Sequence, residues 1–161
     1  MRCYLKHLIR MSNLKKYKDF FANEITFFGG IPFSIVLFFL VFLLGYKEFS
    51  YYLLLSLILG TVITIMIRSV HHKDRPKKMP YINYFEKIYS SSFPSMHIIR
   101  TSIYVTLFTL YFGGIYFFTL FAIIHMGVFW SRYYLKKHYL DDLIFGTFFG
   151  IVISLLINFI A

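Results

Sequence analysis

Long uncharged stretches recur along the chain and are separated by short segments rich in lysine, arginine and histidine. The uncharged stretches cover residues 25–46, 49–67, 101–131 and 143–161. The third is too long for one helix, and Gly113 and Gly114 divide it where a tight turn is easiest. Because about 20 apolar residues form a helix that crosses roughly 30 Å of hydrocarbon, the pattern predicts about five transmembrane helices, the third and fourth over roughly 95–112 and 115–132.

The segments that flank these stretches predict two surface elements. Residues 1–24 alternate apolar and basic positions at helical spacing, which predicts an amphipathic helix at the membrane interface. Residues 77–94 are rich in aromatic side chains and contain Pro80, so we expect them at the membrane surface, either as a lid or as an ordinary interfacial anchor. The expected organisation is an all-α protein, with an interfacial segment over 1–24 and one helical membrane domain over 25–161.

Composition supports a membrane protein. The 161 residues are 58% hydrophobic and 22% aromatic, which is more apolar side chain than a soluble domain of this size can bury. The formal net charge is +10, but the basic residues border the predicted spans and do not cover one solvated face. That placement favours anionic membrane lipids as partners and argues against nucleic acid. The single cysteine excludes an intramolecular disulfide and a multi-thiolate metal site.

The distribution of basic residues also predicts a topology. Of the lysines and arginines outside the predicted spans, six lie in residues 1–24, six in 68–94 and three in 132–142, against Lys47 alone on the opposite face. Positively charged loops are retained on the cytoplasmic side. We therefore expect a multi-pass protein of the cell membrane whose charged loops face the cytoplasm.

Three polar stretches fall on this same predicted face. They are residues 68–76, 94–97 and 131–142. His138 and Asp142 are four residues apart, so if the last helix begins near them the carboxylate can hold the second nitrogen of the imidazole, which makes a directed nucleophile or base. Ser95 and His97 lie where the third helix should start, and the unpaired backbone N–H groups of a helix start favour an anion.

The arginines of these stretches indicate that the anion is a phosphate. Arg68, Arg75 and Arg132 supply planar, permanently charged donors that match phosphate oxygens and stabilise the charge of a phosphoryl transition state. Only three of the seven acidic residues lie near the motifs, which makes a two-metal site a poor hypothesis. We expect no metal and no other cofactor, and chemistry through a phosphohistidine.

Together the three stretches resemble the signature of the type-2 phosphatidic acid phosphatase family. The family pattern is Lys-x6-Arg-Pro, then Pro-Ser-Gly-His, then Ser-Arg-x5-His-x3-Asp; this chain has RSVHHKDRP, PSMH and SRYYLKKHYLDD in the same order over residues 68–142. The family includes lipid phosphate and polyprenyl diphosphate phosphatases and is related to vanadium haloperoxidases. The resemblance implies a bundle of hydrophobic helices and hydrolysis of a lipid phosphoric monoester or diphosphate.

The resemblance also implies a role for each matched residue. His138 would attack phosphorus, Asp142 would orient it, and His97 would protonate the leaving oxygen. The phosphate would be bound by Arg68, Arg75, Ser95, Met96 and Arg132. Two positions depart from the pattern: Arg68 replaces the lysine and keeps its charge, and Met96 replaces the glycine but retains a backbone N–H.

The sequence leaves the identity of the substrate open. It does not select among lipid phosphates, and it does not separate hydrolysis from phosphoryl transfer to another acceptor. A non-catalytic, lipid-binding protein of the same fold is the alternative, and the oligomeric state is open.

Three polar residues outside the motif positions have weaker interpretations. We expect Arg100 either to reach the membrane surface or to contact a lipid headgroup. We expect Lys73 to determine topology and to bind anionic lipids, and His125 to pack between helices.

Overall fold

The fold is a bundle of helices around one central helix. The computed structural model describes the backbone of residues 2–160 and the side chains of residues 14–160, and this part of the chain contains seven α-helices and a 3-10 turn. The helices are α1 (Arg2–Thr26), α2 (Ile31–Leu43), α3 (Lys47–Val70), α4 (Tyr84–Ser90), α5 (Met96–Phe112), α6 (Ile115–Tyr134) and α7 (Leu140–Ile160), with the 3-10 turn over Phe27–Gly29. The all-α membrane bundle predicted from the sequence is confirmed.

Helix α5 is the central helix, and α3, α6 and α7 pack around it. Its apolar side chains, among them Ile99, Ile103 and Leu107, are buried against residues of the neighbouring helices. Two glycines permit this close packing. A Cβ atom at Gly60 would lie 2.9 Å from Cγ2 of Ile99, and one at Gly150 would lie 2.7 Å from the Ile99 carbonyl oxygen. Small residues at such crossings let helix backbones approach each other, as is typical of membrane bundles.

A buried polar cluster joins three of these helices. His125 on α6 lies between two threonines: its Nδ1 is 2.9 Å from Oγ1 of Thr101 on α5, and its Nε2 is 3.2 Å from Oγ1 of Thr147 on α7. Because hydrogen bonds between helices satisfy polar groups that lipid cannot, the cluster fixes the relative position of α5, α6 and α7. His125 thus has the helix-packing contacts that we expected.

The expected span over residues 25–46 is wrong in one respect, because the helix is broken. Residues 14–29 and 31–43 are bent by 48° at the break. Gly30 is extended, with φ −80° and ψ 162°, and Pro32 lies in the first turn of α2, where its missing N–H removes no intrahelical hydrogen bond. Ser131 of α6 donates a hydrogen bond to the Ala22 carbonyl (2.5 Å), so α1 packs against α6.

The other predicted helices are present with shifts of a few residues. Gly113 and Gly114 both have positive φ, 67° and 80°, and form the predicted turn between α5 and α6. Helix α1 covers the predicted amphipathic segment, but the side chains of residues 1–13 lie outside the described residues, so its interfacial role stays a prediction.

Fewer helices than the predicted five are long and apolar enough to cross a membrane among the described residues. By length and composition, α3, α6 and α7 are long and apolar enough to cross a membrane, and the bent pair of residues 14–29 and 31–43 could form a fourth crossing. Helix α5 has 17 residues and is therefore only about 25 Å long. The outer faces of the long helices expose large apolar side chains such as Ile58, Ile123 and Phe148, as lipid-facing surfaces do. The count of five stays a prediction.

The contact of Gly150 with α5 gives a test of the packing. Gly150→Ala would place a Cβ atom 2.5 Å from Cβ of Ser102, so the two helices must separate. We expect a loss of about 1–3 kcal/mol, the usual result of overpacking a core, and hence a lower midpoint of thermal unfolding in detergent. Phe148→Ala on the exposed face of the same helix is the control, and it should change the midpoint much less. Equal midpoints for Gly150→Ala and the unmodified protein would contradict the close crossing.

Candidate active site

The three polar stretches meet around one cavity at the end of the bundle where α3 and α6 end and α5 and α7 begin. The cavity has a volume of about 620 Å³. Its polar lining consists of Arg68, Arg75, His97, Arg100, Arg132 and His138. Its apolar lining comes from Gly30, Ile31, Pro32, Ile65, Phe85, Ile88, Tyr89 and Met96. The lining therefore offers both charged donors for a phosphate and apolar side chains for an apolar group.

His138 lies in the loop between α6 and α7 with only 2% of its surface exposed. Its Nδ1 is 2.7 Å from the Ser92 carbonyl oxygen, which can only accept, so Nδ1 carries the proton. Nε2 then has the free electron pair, and it accepts a long hydrogen bond of 3.4 Å from Nη2 of Arg132. Burial lowers the pKa of His138 from 6.5 to about 4; the Asp142 carboxylate opposes this effect and three nearby arginines add to it. The imidazole is therefore neutral at neutral pH.

The contact between His138 and Asp142 differs from the one that the spacing predicts. The carboxylate Oδ2 is 3.8 Å from His138 Nδ1, which is within ion-pair range but too long for a hydrogen bond. Because α7 begins only at Leu140, His138 precedes the helix and does not share a helical face with Asp142. Asp142 Oδ2 instead accepts from the backbone N–H of Tyr139 at 2.8 Å. Asp142 is close enough to compensate an imidazolium charge, and the hydrogen bond that orients the ring is donated by Nδ1 to the Ser92 carbonyl.

Lys73 is a residue of the site that the sequence did not predict. Its ammonium group contacts the carboxylates of both Asp141 and Asp142. The distance from Nζ to Oδ1 of Asp142 is 2.8 Å, and Nζ lies 4.8 Å from the centre of the Tyr139 ring. Burial acts to lower the pKa of Lys73, but the hydrogen bonds to the two carboxylates outweigh it and raise the pKa. The sequence interpretation of Lys73 as only a topology determinant is incomplete, because this lysine holds the carboxylate beside His138. Its position in the sequence between Arg68 and Arg75 was the signal that could have indicated a place in the site.

The three predicted phosphate-binding arginines are buried and line the cavity. Arg68 donates a hydrogen bond from Nη2 to the Pro94 carbonyl (2.7 Å), and Arg75 donates one from Nη2 to the Tyr89 carbonyl (2.8 Å). The Nε atoms of Arg68, Arg75 and Arg132 have no hydrogen-bond partner among the described residues. Within residues 14–160 no carboxylate lies within 4 Å of these guanidinium groups. Their charge is left for an anion in the cavity to balance.

The PSMH stretch forms the start of α5, as predicted, but its members differ in access. Ser95 precedes the helix and is completely buried; its Oγ has no partner among the described residues, and it does not line the cavity. Met96 and His97 do line the cavity. Gly29 packs directly on His97, because a Cβ atom there would lie 2.8 Å from the His97 Cβ. Ser95 is the N-cap residue of α5, but its side chain makes no capping hydrogen bond, and its contact with phosphate stays a prediction, whereas His97 lines the cavity.

Arg100 also lines the cavity, one turn beyond His97 on α5. It is only 7% exposed and donates a hydrogen bond from Nη1 to the Gly29 carbonyl (3.2 Å). Of the two interpretations that the sequence left open, extension to the membrane surface is wrong, because the side chain is buried beside the cavity.

Helix α4 and the residues before it line the cavity and carry exposed apolar side chains, and the choice between a lid and an interfacial anchor stays a prediction. Phe85, Ile88 and Tyr89 line the cavity, and Tyr89 holds Arg75 through its carbonyl oxygen. Phe85 is also 81% exposed and Ile82 is 96% exposed, as side chains at a membrane interface are. The segment therefore contributes a wall of the cavity and an apolar outer surface.

The donor set of the cavity is basic. Nowhere in residues 14–160 do three or more His, Cys, Asp or Glu side chains come together as a metal site requires. Metal-independent chemistry remains a prediction that only an assay can decide.

Comparison with known proteins bears on the fold and the family of the chain. No curated protein matches the sequence. The crystal structure of LpxE from Aquifex aeolicus is similar, with a TM-score of 0.74 at 20% sequence identity, over 88% of this chain and 86% of that chain. At that identity the likeness shows the fold. The family model of the PAP2 superfamily matches residues 49–160, which include every predicted site residue. The chain therefore belongs to the PAP2 superfamily.

Proposed function

We propose that the protein is a membrane phosphatase that hydrolyses a lipid phosphate or diphosphate through a phosphohistidine on His138. One observation carries the proposal: the buried, neutral imidazole of His138, with its unprotonated Nε2, lines the same cavity as arginines that lack carboxylate partners in the described chain. Membership of the PAP2 superfamily supports a phosphatase, and the apolar side of the cavity supports a lipid as the substrate.

The first step transfers the phosphoryl group to the enzyme. Nε2 of His138 attacks phosphorus, a P–N bond forms, and the P–O bond to the leaving group breaks with its electron pair on the leaving oxygen. The negative charge of the bound substrate favours the protonated form of His97, and this imidazolium supplies the proton that the leaving oxygen takes up. Positive charge then develops on the His138 imidazole, and the Asp142 carboxylate 3.8 Å away compensates it. Arg68, Arg75 and Arg132 neutralise the oxygens of the transferred group.

The second step releases phosphate. Water attacks phosphorus while His97, now neutral, accepts a proton from it, and the P–N bond breaks with its electron pair on Nε2. The same arginines stabilise the charge of this transition state. Both histidines return to their starting state, so the cycle needs no external cofactor.

The charge distribution supports a cytoplasmic active site. The loops that carry Lys73, Arg75 and Lys137 lie at the same end of the bundle as the cavity, and such loops are retained in the cytoplasm. In a Cys3→Ser protein, a cysteine introduced at the exposed position Ile82 should react with a membrane-impermeant reagent only after the membrane is opened. Reaction in intact cells would place the site outside.

The roles of the two histidines predict different losses. His138→Ala removes the nucleophile and should lower the turnover number by about 10⁴-fold or more. His97→Ala removes the proton donor and should lower it by roughly 10²–10⁴-fold. The measurement is phosphate release from a lipid phosphate in detergent micelles containing EDTA.

His71→Ala is the matched control, because His71 is exposed and does not line the cavity. Retained activity in His138→Ala and His97→Ala would refute the mechanism, and loss of wild-type activity in EDTA would refute metal independence. Analysis of the products with an added alcohol distinguishes hydrolysis from transfer.

Lys73 should matter through Asp142. Lys73→Met leaves the buried carboxylate without its cation, so we expect it to rearrange and to compensate the His138 charge poorly. Hydrogen bonds to charged groups are worth about 1.5–3 kcal/mol, which corresponds to roughly a 10- to 100-fold loss in turnover number. Lys73→Arg should retain more activity, and Lys78→Met at an exposed position should retain full activity. Equal activity of Lys73→Met and Lys78→Met would show that Lys73 has no positioning role.

The pKa of His138 can be measured without substrate. In protein labelled with ¹³C-histidine, the ring signal that is missing from His138→Gln should titrate near pH 4, whereas an ordinary histidine titrates near 6.5. Since the neutral form is the nucleophile, the reactive fraction falls as the pH drops through the pKa and stays constant above it. Titration of this signal near 6.5 would contradict the buried, neutral imidazole.

A further inference from the structure

Arg100 is a fourth guanidinium group in the cavity, and it belongs to none of the three motifs that align with the family pattern. It is 7% exposed, and in the described chain its hydrogen bond goes to the Gly29 carbonyl. No carboxylate of residues 14–160 lies within 4 Å of it. A buried cation without a counter-ion is unfavourable, so a ligand that brings negative charge to this position would be stabilised.

The charges of the cavity exceed what one phosphomonoester can balance. Four arginines line the cavity, and Asp142, the buried carboxylate beside His138, is already bound by Lys73. A phosphomonoester carries about −1.5 to −2 charges at pH 7. A terminal diphosphate adds a second phosphoryl group with a further negative charge. The diphosphate therefore matches the four guanidinium groups better.

The position of Arg100 indicates which part of the substrate it contacts. Residues three apart on a helix lie on the same face, with Cβ atoms about 5–6 Å apart, so Arg100 lies beside His97 and one turn farther from the start of α5. In the proposed mechanism His97 serves the leaving oxygen. Arg100 consequently faces the leaving group, whereas Arg68, Arg75 and Arg132 surround the transferred phosphoryl group.

Apolar residues of the cavity lining lie next to Arg100. Gly30, Ile31 and Pro32 follow directly on Gly29, which holds Arg100, and all three line the cavity. Ile31 is also exposed on the outer surface of the bundle. A substrate that extends from His138 past His97 and Arg100 would thus reach apolar side chains and then lipid.

We infer that Arg100 forms a subsite for a phosphoryl group on the leaving side, and that the substrate is a lipid diphosphate. The inference rests on the proposed function. Nε2 of His138 attacks the terminal phosphorus, and the P–O bond to the bridging oxygen breaks with its electron pair on that oxygen. The leaving group is then a lipid monophosphate, and Arg100 neutralises its charge. When the substrate is a phosphomonoester, the leaving group is an alcohol, which has no negative charge for Arg100 to bind.

The test compares a prenyl diphosphate with the prenyl monophosphate of the same chain length. The wild-type protein should prefer the diphosphate in kcat/KM by about tenfold or more, the strength of one charge-assisted hydrogen bond. Arg100→Gln should lower this preference by about tenfold, and Arg100→Lys should restore part of it, since it keeps the charge without the planar donors. Lys78→Gln at an exposed position is the control and should keep the wild-type preference.

The outcomes separate this inference from the proposed function. If neither substrate is hydrolysed and no phosphohistidine forms, the proposed function fails. If both are hydrolysed with equal kcat/KM, or if Arg100→Gln lowers both in the same proportion, only the diphosphate subsite is overturned. A higher kcat/KM for phosphatidylglycerophosphate, whose second anionic group is a phosphodiester, would likewise overturn the assignment to a diphosphate.

A second measurement needs no variant that could fail to fold. Methylenediphosphonate, a diphosphate analogue that cannot be cleaved, should inhibit the wild-type protein about tenfold more strongly than inorganic phosphate does. Equal inhibition by the two would overturn the subsite.

Discussion

Buried arginines that donate to backbone carbonyls hold the active end of this bundle together. Arg68 binds the carbonyl of Pro94, Arg75 that of Tyr89 and Arg100 that of Gly29. Each accepting carbonyl lies at or just outside a helix end, where intrahelical partners are missing. Each hydrogen bond therefore satisfies a main-chain group that lipid could not satisfy, and it also attaches a non-helical segment to the bundle.

The arginines that attach these segments to the bundle also line the cavity. The guanidinium groups that attach α4, the start of α5 and the turn before α2 are those that face the cavity, so the walls of the cavity and its charges are fixed by the same contacts. Below them, the crossings at Gly60 and Gly150 and the hydrogen bonds of His125 set the distances between α3, α5, α6 and α7. Residues from distant parts of the sequence consequently converge at the cavity.

How much the sequence could predict depended on the range of each signal. Hydrophobic stretches and the pair Gly113 and Gly114 located the long helices, because span length and backbone freedom are local properties. The break before α2 was missed, although Gly30 and Pro32 mark it, because an uncharged stretch of the right length was taken as one helix. Burial and exposure of individual side chains, and hence the number of crossings, depend on neighbours that no local pattern specifies.

The motif residues of the site could be predicted from the sequence, but the groups that hydrogen-bond to them could not. His97 and His138 stand at positions that family spacing identifies, so both could be named in advance. Lys73 lies 69 residues from the carboxylate that it binds, and no local pattern relates the two. The acceptor for His138 is the main chain of Ser92, and main-chain atoms leave no mark in a sequence.

The hydrogen bond between His138 and the Ser92 carbonyl affects which substitutions the site can accept during evolution. The Ser92 carbonyl is present whichever residue occupies the position, so the tautomer of His138 is determined by the path of the backbone and not by a side chain. In a serine protease triad, by contrast, replacing the aspartate by its amide gives the wrong tautomer. Here an altered Asp142 would remove the carboxylate beside the imidazole and still leave Nε2 unprotonated. Selection could therefore adjust the electrostatics of this imidazole gradually, without passing through a form in which the wrong nitrogen carries the proton.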